Sequence, residues 1–441
     1  MFFSTAAQLA LRMESMRKAE AGLVALARRF GNKDPSSYTM ELFDTEIPSS
    51  VLPFRRESNR NLLKSCAEGE CGTDTEVEDE EHMIMHAIRV SQDKKASEKE
   101  GQQLLKHQKY PLVIIHGYMN GALYFYRNLV GLAGFFDTVI SVDLLGWGLS
   151  SRPSFDRLRD DSVETAEAFF VESLESWRSK NNIEKMNLAG HSMGGYLSVA
   201  YCEKYPERVE RLLLLSPVGV PEETAELQEE RKQRYFSSFT RRLVFGIFGS
   251  LWEYGYTPGS VMRLLPEGRG RYLVDGYVRN RLPAIQDPEE QRILSEYMYT
   301  GSILPGSGEY GLSRILNPGA LAKNPCVQRI PKLRVKHVSF LYGMHDWMDA
   351  RGGLDVQRIC NEEQPHGTPD VEVYKVNQAG HLLMLENSVG FNTAVVVASG
   401  GDPSTIARLP SDLPVPVSHP PSKGASGREP PVPTGDVQVV T

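Results

Sequence analysis

At 441 residues with 41% hydrophobic side chains, the chain can form one large domain or two to three average ones, and it is too apolar to be globally disordered. Its 49 basic and 56 acidic residues leave a net charge of −7, with no run of Lys and Arg longer than two, which argues against a nucleic-acid partner. Five cysteines, Cys66, Cys71, Cys202, Cys326 and Cys360, are odd in number and scattered, as free thiols of a reducing compartment are, and Cys66 and Cys71 lack the neighbours of a zinc site.

The opening stretch, MFFSTAAQLALRMESMRKAEAGLVALARRF, puts Leu9, Met13, Met16, Leu23 and Phe30 on one helical face with a polar gap at Glu20. With its five basic residues it reads as a mitochondrial presequence or an interfacial helix, against the plainer reading of a helix packed on the domain. Its apolar core is too interrupted for a secretory signal. No apolar run approaches the roughly 18 residues of a spanning helix. Residues 31–82 read as irregular and close on an acidic run, Glu76 to Glu81; MIMHAIRV (83–90) reads as the first strand, followed by a polar loop.

From Tyr110 strands and helices alternate. PLVIIHG (111–117), DTVISVDLLG (137–146), EKMNLAG (184–190), VERLLLLSP (209–217), VKHVSFLYG (335–343) and VEVYKVN (371–377) are strand-like. Val163, Ala166, Phe170, Leu174 and Trp177 recur at helical spacing, 193–204 reads as a helix, and a last helix starts near Asn387. The expected architecture is α/β, a mostly parallel sheet flanked by helices, with a mainly helical cap inserted at 218–334. On this reading 1–82 is a helix and acidic linker, 83–217 and 335–399 form the core, and 400–441 is a Pro-rich tail that cannot fold.

GHSMG (190–194) lies between a strand and a helix. A nucleophile elbow needs that placement, which leaves the Ser192 hydroxyl exposed and offers the Met193 amide at the helix start to an oxyanion. Glycine-rich turns of this kind also bind phosphates. Three further features favour the nucleophile. HGY (116–118) ends a strand where a second oxyanion donor belongs, the Tyr118 amide. LYGMHDW (341–347) puts Asp346 just past a strand, with Asp349 as its rival for the acid; NQAGHLLMLEN puts His381 between the next strand and the last helix. A serine attacks only when a base takes its proton and a third group fixes that base, so Ser192, His381 and Asp346 meet the chemical need in the order Ser, Asp, His. His191 and His116 read as structural, His345 as a surface residue or a neighbour of the site, and Asp143 as a support of its edge. No metal or cofactor is required.

DLLGWGLSSRP, GHSMGGYLS, EYMYTGSILPGSGE and LYGMHDWMD, together with YTPGSVMRLL, resemble one subfamily of the α/β-hydrolase fold. It holds the mammalian lipid-droplet co-activator of triglyceride lipase, its N-acyl-phospholipid lipase paralogue, and plant and fungal relatives, among them a cardiolipin deacylase. The resemblance spans about residues 110–398. It implies the α/β-hydrolase fold and lipid acyl chemistry, either deacylation of phospholipids or lysophospholipids or acyl transfer to lysophosphatidic acid. The co-activator has asparagine at the elbow, whereas this chain keeps Ser192; the subfamily's acyl-transfer motif, His-x-x-x-x-Asp, becomes His381 followed by Glu386 here.

In the cap, Arg263, Arg269, Arg271, Arg279 and Arg281 fall within nineteen residues, an arrangement suited either to phosphate recognition or to a solvated basic face. RRLVFGIFGSLW (241–252) reads as buried in the cap or as a lipid contact. The expected activity is that of a serine esterase on a phospholipid or lysophospholipid at a membrane or lipid-droplet surface, inside the cell. The alternatives are an acyltransferase, a non-catalytic scaffold that recruits a lipase partner, and a proline-iminopeptidase-like peptidase.

Overall fold

The computed structural model describes residues 6–30, 37–55, 81–92, 108–225, 229, 256–317, 320–363, 366–401 and 415–416. Nine strands form one sheet: β1 (Tyr38–Pro48), β2 (His82–Gln92), β3 (Leu112–Ile115), β4 (Thr138–Val142), β5 (Met186–His191), β6 (Val209–Leu215), β9 (His337–Gly343), β10 (Asp370–Val376) and β11 (Val415–Pro416). Their order is β1-β2-β4-β3-β5-β6-β9-β10-β11, and a separate ribbon pairs β7 (Leu316–Asn317) with β8 (Leu321–Ala322). From β4 through β10 every neighbouring pair is parallel; β1, β2 and β11 join antiparallel. The central strands β3 and β5 are buried along their whole length, which is why β3, LVII, is a continuous apolar run without alternation.

Helices cover both faces. One apolar layer holds Phe169, Phe170 and Trp177 of α2 (Val163–Lys180) with Tyr196 and Tyr201 of α3 (Met193–Lys204). The other holds Phe391 and Val395 near the C-terminal end of the core and Leu23 and Leu26 of α1 (Ala6–Arg29). Ser162 caps the start of α2, its hydroxyl accepting the Thr165 amide at 3.1 Å. Between β6 and β9 the described residues form four helices of a turn and a half or more: α4 (Pro258–Leu264), α5 (Glu267–Arg281), α6 (Pro288–Ile303) and α7 (Glu309–Ile315), followed by the ribbon. They make up the cap. The last long helix is α8 (Ser388–Ala398), capped by the Asn387 side chain, which accepts the Gly390 amide at 2.8 Å.

One expectation about the N-terminal part needs correction. Residues 38–48 are not linker: β1 pairs with β2 along its entire length, from Tyr38 opposite Gln92 to Pro48 opposite His82. Main-chain bonds secure it with only Tyr38, Thr45 and Ile47 buried, and the alternation of Tyr38, Met40 and Leu42 breaks at Phe43 and Asp44 instead of running the length of the strand. The N-terminal helix packs on the cap helix α6, where the Arg12 guanidinium donates to the Ile303 carbonyl at 2.8 Å. The polar gap at Glu20 faces inward. Glu20 is buried and meets the His86 Nε2 at 3.0 Å, while Asp44 of β1 holds the Nδ1 of the same ring at 2.5 Å. Of the tail, Val415–Pro416 pairs with β10. Cys66, Cys71, Glu76 to Glu80, residues 241–252 and most of the tail lie outside the described residues. No described helix is long and apolar enough to cross a membrane.

Candidate active site

Ser192 stands between β5 and α3 with φ 53° and ψ −115°, a backbone conformation that costs an L-residue energy and persists only when its surroundings hold it. Here four main-chain bonds do so. The Ser192 amide donates to Leu215 of β6 at 2.9 Å, and its carbonyl accepts the amides of Gly195, Tyr196 and Val218. The turn at Gly117 comes so near that a Cβ there would lie 2.9 Å from the Ser192 Cβ, which brings Tyr118 beside the serine.

His381 completes the arrangement. Its Nε2 lies 3.1 Å from the Ser192 Oγ and its Nδ1 lies 3.1 Å from the Asp346 Oδ1. Asp346 is buried, and the Met348 amide donates to its Oδ1 at 2.9 Å. Burial pushes the Asp346 carboxyl up, but its hydrogen bond and charge interaction with His381 outweigh that and hold it below the ordinary carboxylate value. Asp349, the rival acid, is paired with Arg351 at 2.6 Å instead. The acid turn and the base loop are tied by main-chain bonds, Met344 to the Val376 carbonyl and His345 to that of Ala379, both 2.9 Å. At this seam a Cβ on Gly343 would lie 2.2 Å from the Gly380 carbonyl, so only glycine fits. His345 itself is exposed.

Two further histidines, His191 and His116, brace the loops around the site. His191 donates from Nε2 to the His381 carbonyl at 2.9 Å, and burial, then the neighbouring His381, press its pKa down to about 3, so it stays neutral. His116 accepts the Leu144 amide at Nε2 and donates from Nδ1 to the Gly117 carbonyl at 2.8 Å, which fixes its tautomer; burial lowers its pKa as well. Asp143 accepts the amides of Ala122 at 2.7 Å and Leu149 at 2.8 Å and so staples the loop at the edge of the site.

Met193 is the first residue of α3, and an amide in a helix's first turn has no partner within the helix. Tyr118 links the neighbouring loop to the cap: its hydroxyl accepts the Gly259 amide at 3.4 Å, and burial raises its pKa. Three features escaped the sequence. Glu386 accepts the Gly380 amide at 2.8 Å and the Leu382 amide at 3.1 Å, the two amides that flank His381. Half-exposed Trp347 lies over the His381 ring at 5.0 Å between centroids, with the His191 ring 4.9 Å away. A pocket of about 600 Å³ runs from Tyr118 and Leu382 into the cap, walled by apolar side chains such as Val261, Leu273, Val274 and Tyr277.

The cap arginines divide. Arg263 is neutralised by Glu309, with one contact at 3.0 Å, and Arg271 pairs with Glu267 at 2.9 Å and with Glu296. Arg269, Arg279 and Arg281 are exposed. Among the described residues no cluster of His, Cys, Asp and Glu is fit to hold a metal ion.

A family model described as the alpha/beta hydrolase fold matches residues 110–388, which take in Ser192, Asp346 and His381. The chain belongs to the α/β-hydrolase-fold family. Within that family it is 35% identical over 293 residues to a 1-acylglycerol-3-phosphate O-acyltransferase of Arabidopsis thaliana, covering 65% of this chain and 66% of that protein. It is 33% identical over 310 residues to a probable 1-acylglycerol-3-phosphate O-acyltransferase of Oryza sativa subsp. japonica, covering 68% and 71%. To the 1-acylglycerol-3-phosphate O-acyltransferase ABHD5 of Homo sapiens it is 30% identical over 299 residues, covering 65% and 76%. The chain thus spans just under two thirds of the Arabidopsis relative. Among solved structures, the carboxylesterase CesB of Bacillus subtilis superposes with a TM-score of 0.50 at 17% identity, over 88% of this chain and 100% of that one, a likeness of fold alone. These relatives place this α/β hydrolase in the ABHD5-like subfamily.

Proposed function

We propose that the chain is a serine hydrolase that cleaves acyl esters of phospholipids or lysophospholipids. The observation that carries this reading is the imidazole of His381, 3.1 Å from the Ser192 hydroxyl on one side and 3.1 Å from Asp346 on the other. In that position Nε2 accepts the Ser192 proton as the Oγ attacks the ester carbonyl, and Asp346 keeps the Nδ1–H tautomer and balances the imidazolium. The carbonyl electrons move onto oxygen, where the Met193 and Tyr118 amides receive the charge. When the tetrahedral intermediate collapses, the ester C–O bond breaks and His381 gives its proton to the departing alcohol. Water, deprotonated by the same imidazole, then releases the fatty acid from Ser192.

The substrate class is argued from the pocket. About 600 Å³ lined by apolar side chains suits an acyl chain and not a peptide backbone, which would leave its polar groups unpaired. The names of the plant and human relatives favour a second reading, in which a lysophospholipid hydroxyl replaces water and takes the acyl group. The two share the acyl-Ser192 intermediate. Ser192 in the elbow weighs against a scaffold that only recruits another lipase.

The test incubates purified protein with defined phospholipids, with and without acyl-CoA. Free fatty acid released without acyl-CoA is expected. Lysophospholipid consumed only when acyl-CoA is present would overturn the hydrolase reading in favour of acyl transfer.

A further inference from the structure

Six of the thirteen large apolar side chains left exposed among the described residues fall in one short stretch of the cap: Tyr256, Val261, Leu264, Tyr272, Leu273 and Tyr277. Four of them, Tyr256, Val261, Leu273 and Tyr277, also line the pocket, so this apolar surface is continuous with the pocket wall. Leu264 and Tyr272 carry it outward; at 73% and 70% exposed they are the most solvent-facing of the set and stand outside the pocket lining. An isolated exposed leucine needs no explanation, but a cluster at the rim of an apolar pocket does.

The charges around it select the partner. On α5, Arg269, Tyr272 and Leu273 stand at i, i+3 and i+4, hence on one stripe of the helix, while Gly270, Val274 and Val278 make the buried stripe. Arg269, Arg279 and Arg281 are exposed, and none makes an ion pair among the described residues. Asp275 is the one exposed acid on the last three turns. A basic, apolar-tipped face on a chain of net charge −7 is a local reversal of sign. Apolar rings and leucines bordered by arginines suit the boundary between headgroups and acyl chains of an anionic bilayer.

We infer that the outer face of α4 and α5 docks on an anionic lipid surface, with the pocket mouth directed at the lipid. The inference deepens the proposed function and rests on it in taking the pocket as the acyl site. An acyl chain can then pass from bilayer to pocket along apolar side chains without crossing water. Arg269 and Arg279 supply attraction to the headgroups, and Leu264 and Tyr272 supply insertion.

The test is flotation of the full chain with vesicles of phosphatidylcholine alone and of phosphatidylcholine mixed with phosphatidylglycerol. Wild type should float with the mixed vesicles, less at high salt. Leu264→Glu combined with Tyr272→Glu should abolish flotation. Arg269→Gln combined with Arg279→Gln should weaken it about thirtyfold on the mixed vesicles and leave binding to phosphatidylcholine alone unchanged. Both double variants should keep wild-type turnover of a water-soluble short-chain ester, which shows that they fold. Wild type that floats with neither vesicle, or a Leu264→Glu/Tyr272→Glu protein that floats as well as wild type, would overturn the inference. Variant-dependent flotation by a protein with no ester turnover would sink the hydrolase reading and leave the docking face standing.

Discussion

Glu386 grips the loop of His381 from both sides. One carboxylate oxygen accepts the amide before the histidine, at Gly380, and the other accepts the amide after it, at Leu382, 2.8 and 3.1 Å away. The carboxylate that the subfamily motif assigns to acyl transfer is thus engaged in holding the base loop. Replacing Glu386 by Gln leaves one acceptor and two unlike ends; replacing it by Ala leaves none. Hydrogen bonds to charged groups contribute about 1.5–3 kcal/mol each, so kcat should fall on the order of tenfold to a hundredfold with KM nearly unchanged, and Glu386→Asp should restore part of it. Hydrolysis and any acyl transfer should fall together. Steady-state kinetics on both reactions check this; transfer lost with hydrolysis intact would give the motif its separate role back.

Narrowing the pocket should change which esters are used. Val261 lines it from α4. Val261→Trp should leave short-chain esters untouched and penalise long ones by about fourfold for each methylene that no longer fits, from ~0.8 kcal/mol per buried methylene. A chain-length series of kcat/KM values reads this directly. A uniform loss at every length would mean that the acyl chain lies elsewhere.

The buried contact of Glu20 with His86 predicts a pH dependence of stability. Burial alone would lower the His86 pKa, but Glu20, Asp143 and Asp44 outweigh it and raise it to about 9. The folded state therefore binds this proton more tightly than the unfolded one. The stabilisation is complete below about pH 6.5 and is lost as pH rises through about 9. Glu20, also raised, chiefly by burial, acts in the same direction. Thermal unfolding should show Tm declining across that window. His86→Leu should start on the order of 3 kcal/mol lower, since it leaves Glu20 buried without its partner, and should lose most of the slope. A His86→Leu protein with wild-type Tm and slope would refute the assignment.

These contacts also explain what the sequence disclosed and what it hid. Ser192, Asp346 and His381 were legible because each follows the C-terminal end of a strand, and in all three cases a glycine, Gly190, Gly343 or Gly380, marks the turn that carries the residue. The parallel order of the central strands followed from the alternation of strand and helix. β1 was not legible. Its pairing rests on the main chain, and its outward residues, Glu41, Asp44 and Glu46 among them, look like linker. Nor was Glu20, whose side chain breaks the apolar face of α1 because a buried imidazole on β2 answers it across 66 positions of sequence. Long-range polar pairs of this kind leave no local signature. The cap arginines show the same limit: which of them are neutralised depended on Glu309, Glu267 and Glu296, and only Glu267 lies within a helical turn of its partner.

The central claim, that Ser192 is an activated nucleophile, is tested most directly by covalent labelling with a fluorophosphonate, which reacts with a serine only when a neighbouring base takes its proton. Wild type should be labelled on Ser192, and labelling should vanish in Ser192→Ala and drop steeply in His381→Ala while both proteins keep the wild-type circular dichroism. Folded wild type that stays unlabelled, or labelling that survives in Ser192→Ala, would contradict the account.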